Sequence, residues 1–147
     1  MPVCDYARPR NFGGVELTDK GGELVDVVSI DSLQLPACQL LKIDVEGQEQ
    51  SVIAGATETI ARFKPVLYVE NDRRRQSPAL IRKIRDLDYV PYWHLPPLYD
   101  ADNFYQNQTN VFPGVLSLNM MCLPSGDGRH IVGMRPIAGP DDWPLST

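Results

Sequence analysis

Two short apolar runs, each closing on an acid and separated by one helix-length stretch, constrain this chain most. The first is Leu40-Leu41-Lys42-Ile43-Asp44-Val45-Glu46-Gly47 and the second is Val66-Leu67-Tyr68-Val69-Glu70. Their apolar residues are nearly continuous, which is the pattern of a strand buried on both faces. Such strands belong to parallel sheets flanked by helices. Between them Val52, Ala56 and Ile60 recur four apart with Ile53 beside them, so Gln48 to Phe63 is expected as a single helix with one apolar stripe. Pro65 keeps Lys64 out of helical geometry and stops that helix. Residues 40–70 therefore predict a strand–helix–strand unit with a right-handed crossover. In open sheets of this kind ligands bind outside the carboxyl ends of the strands. Asp44 and Glu46 stand at that end, two apart, on the same side of the pleat. Gly47 allows a turn there without a Cβ penalty.

The rest of the chain extends the unit. Residues 1–23 are rich in Gly, Pro and Arg without a period and read as loop. Leu24 to Ile30 is a β-branched run expected as a strand, and Asp31 is expected to cap a short turn through Leu33. Ser77-Pro78 supplies an N-cap and a first-turn proline for a helix to about Leu87, burying Leu80, Ile81, Ile84 and Leu87. Tyr89 to Leu95 reads as a strand that Pro91 puts near a sheet edge. A long loop over 96–113 precedes a last strand, Gly114 to Leu123. Reached without a helix, that strand can insert antiparallel between its predecessors. The expected organisation is one domain over 1–124 and an irregular tail over 125–147.

Charge and composition narrow the function. A net charge of −5 and a pI near 4.9 argue against bulk nucleic-acid or anionic-membrane binding. No segment reaches the roughly 18 apolar residues of a membrane span. Met1 to Tyr6 has neither the basic start nor the apolar core of a signal peptide. Cys4, Cys38 and Cys122 are odd in number and far apart. That fits reduced thiols better than disulfides or a zinc site, so the chain is expected in the cytoplasm.

The candidate chemistry sits at strand ends. Asp44 or Glu46 can accept a proton from a substrate hydroxyl as general base, or one of them simply supports the start of the following helix. Glu70 and Asn71 can bind substrate hydroxyls or merely open a polar loop. His94 suits proton transfer near neutral pH, although a lone histidine is more often structural. Trp93 and the neighbouring Tyr92, Tyr99, Phe104, Tyr105 and Phe112 can wall a ring-binding pocket or just pack. Arg73-Arg74-Arg75 reads as a solvated loop face able to meet an anion. Hard cations take carboxylate oxygens, but nothing fixes a ligand geometry on Asp44, Glu46 and Glu70, so no metal is assigned.

Taken together, the motifs resemble the carboxyl-terminal half of the FkbM family of S-adenosylmethionine-dependent methyltransferases, over roughly residues 1–124. The core of the resemblance is Leu41-Lys42-Ile43-Asp44-Val45-Glu46-Gly47, then Glu49, Gly55-Ala56 and Pro65-Val66-Leu67-Tyr68-Val69-Glu70. Asn11-Phe12-Gly13-Gly14, Tyr92-Trp93-His94, Asn110-Val111-Phe112 and Ser117-Leu118-Asn119-Met120 support it. It implies an α/β, Rossmann-like class I methyltransferase sheet, here partial, with strands in the order 4-5-7-6, flanking helices and the last strand antiparallel. It also implies methyl transfer from S-adenosylmethionine to a hydroxyl on a sugar or other small molecule. Asp44 would then position the cofactor's methionine end; Asp44, Glu46 or His94 would serve catalysis; Glu70, Asn71 and Trp93 would meet the acceptor.

Two features of that family are missing from the sequence: the glycine-rich turn after the first strand, and the acid that ends the second and binds the ribose. Cofactor affinity is therefore expected to be poor and the chain to be a truncated relative. The alternative is a catalytically inactive α/β fragment serving as a binding or assembly module. Either way, Leu40 to Glu46 is expected as an exposed edge, pairing with a second copy or a separate amino-terminal half, or aggregating. The 24–30 strand is the other candidate to cover that edge.

Overall fold

The computed structural model of the protein describes residues 2–7, 11, 13–18 and 21–145, so Phe12 of the Asn11–Gly14 motif lies outside the described residues. The main elements are β1 (Leu40–Ile43), α1 (Glu49–Ala54), α2 (Thr57–Phe63), β2 (Val66–Glu70), α3 (Ser77–Asp86), β3 (Tyr89–His94), β4 (Asn119–Pro124) and β5 (Arg135–Pro136). The strands form one mixed α/β sheet in the order β1-β2-β4-β3-β5. β1 and β2 run parallel, with Leu40 opposite Val66 and Ile43 opposite Val69. β4 runs antiparallel to both of its neighbours, and β5 antiparallel to β3. The architecture is of the Rossmann-like kind.

Strand alternation divides the side chains between two faces. Ile43, Leu67, Val69, Met120, Cys122 and Trp93 turn to one face and form a single core with Ile53, Ala56 and Ile60 of the first crossover and Leu80, Ile81 and Ile84 of α3. Lys42, Tyr68, Glu70, Asn119, Met121, Tyr92 and His94 occupy the other face. Both crossovers pack on the first face, so the second carries the polar side chains.

Several expectations are corrected. The single helix over 48–63 is broken into α1 and α2 at Gly55-Ala56. The cause is Asp31, whose backbone N–H donates to Gly55 O at 2.9 Å while its carboxylate accepts from the N–H groups of Glu58 (3.0 Å) and Thr59 (2.8 Å). Asp31 does begin a short 3-10 turn to Leu33, but its side chain caps α2 instead of that turn. Burial alone would raise the Asp31 pKa; these N–H bonds bring it below the usual value. Leu24 to Ile30, expected as a strand, pairs with nothing among the described residues. Leu24 and Val27 stand in solvent, because β-propensity without a neighbouring strand forms no ladder. α3 starts at Ser77 itself, with Gln76 as N-cap, and the Ser77 hydroxyl accepts from Asn71 Nδ2 at 2.9 Å.

The carboxyl-terminal stretch, read as irregular, contributes β5 and the buried Ile137. Ile137 N–H donates to Pro91 O at 2.9 Å, so the side of Pro91 that lacks an N–H faces the two-residue β5. β3 thus lies one strand in from the sheet edge. β4 begins at Asn119, five residues later than expected. The ribbon before it continues through Pro97 opposite Leu116, with the N–H of Ser117 donating to Pro96 O and that of Leu98 to Val115 O.

Candidate functional site

The carboxyl ends of β1 and β2 lie side by side because the two strands are parallel and in register. Asp44 follows the last residue of β1, and Glu70 is the last residue of β2. The chain then turns sharply through two residues of positive φ, Glu46 (52°) and Gly47 (92°), which swings the Glu46 carboxylate back. One oxygen from each of Asp44, Glu46 and Glu70 lies within 4.8 Å of the others. A Cβ at 47 would also sit 3.0 Å from Arg73 Nε, so the guanidinium would have to shift.

Cations partly balance these acids. Lys42 Nζ lies 2.6 Å from Asp44. Arg73 Nη2 reaches Glu46 at 3.2 Å and Glu16 at 2.6 Å, tying the amino-terminal segment to the turn after β1. Glu70 has no such partner among the described pairs. Burial, then the charges of Asp44, Asp72 and Glu46, and a hydrogen bond with Asp44 push its carboxyl up to about 7. Glu70 therefore keeps its proton to higher pH than an ordinary carboxyl and can share it with Asp44. As an all-oxygen set, the three carboxylates have donor chemistry suited to a hard divalent cation or to the positive end of an organic ligand.

A cavity of about 480 Å³ opens beside the acids. Val15, Val45 and Val52 line it together with Asp44 and Glu46, and the largely exposed Leu17, Val27 and Val28 flank its open side. Its volume is within the range of small-molecule sites.

The other candidates lie elsewhere. His94 shares the polar face, but two strands separate its strand from β1, an offset of about 14 Å. Its Nδ1 meets the Tyr68 hydroxyl at 2.8 Å. The Tyr68 hydroxyl is the link between them: burial raises its pKa, Lys42 lowers it and Asp44 raises it. Asn71 and Trp93, expected to meet substrate, both turn to the helix-covered face, because each is one residue out of phase with the polar side. Asn71 is 3% exposed and donates to Ser77 Oγ, with Met120 Sδ at 3.2 Å. Trp93 is buried edge-to-face against Trp143. Phe104 and Tyr105 meet edge-to-face in solvent. Arg73, read as part of a solvated loop face, is the residue that sequence reasoning undervalued. Its position just after a strand-end acid was the available signal.

The sequence-family model described as the methyltransferase FkbM domain matches residues 7–91. That span covers more than half of the chain and includes β1, β2, α3 and all three clustered acids. The chain belongs to the FkbM methyltransferase domain family. The match lies on the amino-terminal and middle part of this chain and stops within β3, so the likeness to a carboxyl-terminal half of the family running to residue 124 does not stand. The short segments at 92–94, 110–112 and 117–120 fall outside it. No curated protein and no solved structure matches the chain. Among the described residues no helix is long and apolar enough to cross a membrane.

Proposed function

We propose that this FkbM-family chain is an O-methyltransferase domain that acts on a hydroxyl of a small molecule or sugar, with Asp44, Glu46 and Glu70 as its working site. The observation that carries the reading is the convergence of three carboxylates at the carboxyl ends of two parallel strands, one of them with its pKa raised by burial and by its acidic neighbours. In this reading β1, β2, β4 and β3 take the roles of strands 4, 5, 7 and 6 of a class I methyltransferase sheet. The observed order and the antiparallel β4 support it.

S-adenosylmethionine is the methyl donor that the family implies, and it would supply an electrophilic methyl carried on a sulfonium. The acids fit its positive charges, and the apolar cavity fits the size of a small ligand. Asp44 would face the cofactor's charged end. The same carboxylate, or Glu46, would orient the acceptor hydroxyl and take its proton. Glu70 would hold Asp44 in place through the shared proton. Arg73 would fix Glu46 in its turn. His94 and Tyr68 form a separate hydrogen-bonded pair on the same face and would tune the surroundings without touching the acceptor.

A second reading is favoured by one observation. The sequence contains no glycine-rich turn to receive the cofactor and no acid placed for its ribose. A catalytically silent binding module would look the same. Calorimetric titration of S-adenosylmethionine separates the two. Binding tighter than about 100 μM, roughly −5.5 kcal/mol, weakened tenfold or more by Asp44→Asn, is the result expected of the enzyme. No heat at millimolar cofactor is the result expected of the silent module.

A further inference from the structure

We propose that residues 13–18 form a strap over the cavity, latched by the Glu16–Arg73 ion pair, and that release of this latch opens the cavity to a ligand. The proposal concerns entry to the cavity and stands apart from the methyl-transfer reading. Part of the cavity lining is the folded body: Val45 and Glu46 after β1, and Val52 of α1. The rest is chain outside the sheet, namely Gly13, Val15 and Leu17 of the strap and residues 27–30.

The two ends of this outer stretch are fastened differently. Its later end is pinned by close packing and the backbone. Ser29 sits so near Gly55 that a Cβ there would lie 3.2 Å from Ser29 Cβ, and the Asp31 N–H donates to Gly55 O at 2.9 Å. Its earlier end is held by charge. Glu16 stands between Val15 and Leu17, and its carboxylate lies 2.6 Å from Arg73 Nη2. The same nitrogen reaches Glu46 at 3.2 Å, so one guanidinium joins the strap to the body of the cavity. Gly14 comes close to that carboxylate as well: a Cβ there would lie 3.6 Å from Glu46 Oε1. The latch is weak enough to open. The side chains of Glu16 and Arg73 are 56% and 32% exposed, and ion pairs of that exposure add little stability. Little apolar packing reinforces it, because Leu17, Val27 and Val28 are all largely exposed. Segments with few buried apolar contacts open locally while the core stays folded. The strap fits that description, and it lies where such an opening exposes the cavity.

Alkylation of a thiol placed in the cavity tests this on the full chain. Val52→Cys supplies the thiol, in a background with Cys4→Ser and Cys38→Ser, since those two native thiols are partly exposed and Cys122 is buried. Iodoacetamide is the probe, because it is small and uncharged. Rates are compared on the high-pH plateau, where the thiol is fully ionised in every variant. At low salt Glu16→Gln is expected to speed alkylation about two- to fivefold, the range for a partly exposed ion pair. Glu16→Lys is expected to speed it further by repelling Arg73. Salt screens the pair, so 1 M sodium chloride is expected to raise the parent rate towards that of Glu16→Gln and to leave Glu16→Gln unchanged. Urea unfolding of each variant shows that the global fold is retained, since Glu16 is exposed. Equal rates in the parent and both Glu16 variants, or a salt response as large in Glu16→Gln as in the parent, would overturn the proposal.

Discussion

Within the proposed site, Glu70 is the carboxyl whose pKa is raised furthest. Its carboxyl is pushed up to about 7 from 4.5, first by burial and then by neighbouring acids. A folded-state pKa above the unfolded one means that the native state binds the extra proton between those two values. Stability should therefore fall as pH rises from about 4.5 to about 7, and level off above. Glu70→Gln keeps a hydrogen-bond donor and removes the titration. We expect it to melt like the wild type at about pH 4 and to be more stable at about pH 8, by on the order of 1 kcal/mol after allowance for solvent screening. Thermal melts across that range check it, and a parallel pH dependence in both proteins would refute the account of Glu70. At this scale the sequence was legible where alternation alone decides. Asp44 could be read off a strand end, whereas Glu46 lies in a turn of positive φ that alternation does not describe. Asn71 and Trp93 could not be rejected, because which phase of a strand faces the core depends on where the helices pack. Arg73 was obscured by its place in a run of three arginines.

At the scale of elements, local pattern foretold β2 and α3 within a residue, whereas β1 stops at Ile43 instead of running to Glu46 and the helix expected over 48–63 is two. The misses come from long-range contacts. The break between α1 and α2 is imposed by Asp31, 27 and 28 residues away from the N–H groups it accepts from. Nothing in the periodicity of 48–63 announces it, apart from the Gly55-Ala56 pair where it occurs. Removing the cap should show how much of the crossover depends on it. Asp31→Ala is expected to lower the melting temperature and to raise amide exchange at Glu58 and Thr59 selectively, with Asp31→Asn milder on both. Unchanged exchange at those two amides would mean that α2 stands without Asp31. The run 24–30 illustrates the opposite error. Its β-branched residues suit a strand, but a strand exists only where a partner offers a ladder.

At the scale of the whole molecule, two features lay beyond sequence reading. One is the stretch after β4, which returns to the sheet as β5 and buries Ile137 at 2% exposure. Arg135 holds Asp142 through two hydrogen bonds of 2.7 and 2.8 Å and keeps that carboxyl below its usual range. Arg85 on α3 donates to Ile137 O at 2.8 Å. These contacts make the stretch part of the core. Ile137→Ala is expected to cost about 2–5 kcal/mol in urea unfolding, and a cost under about 0.5 kcal/mol, the range of surface substitutions, would mark the stretch as dispensable. The other feature is the division of the sheet into a helix-packed apolar face and a polar face that ends in the acids. It follows from register, which only the folded sheet reveals.

The central claim is that the acids at the ends of β1 and β2 form one coupled site that receives a cationic methyl donor. Carbon-detected magnetic resonance of the glutamate side-chain carboxyls, titrated with pH with and without millimolar S-adenosylmethionine, tests it most directly. Our account predicts that Glu70 titrates near pH 7 and moves to lower pH when the cofactor is added. A Glu70 that titrates in the ordinary carboxylate range and does not respond to the cofactor would contradict it.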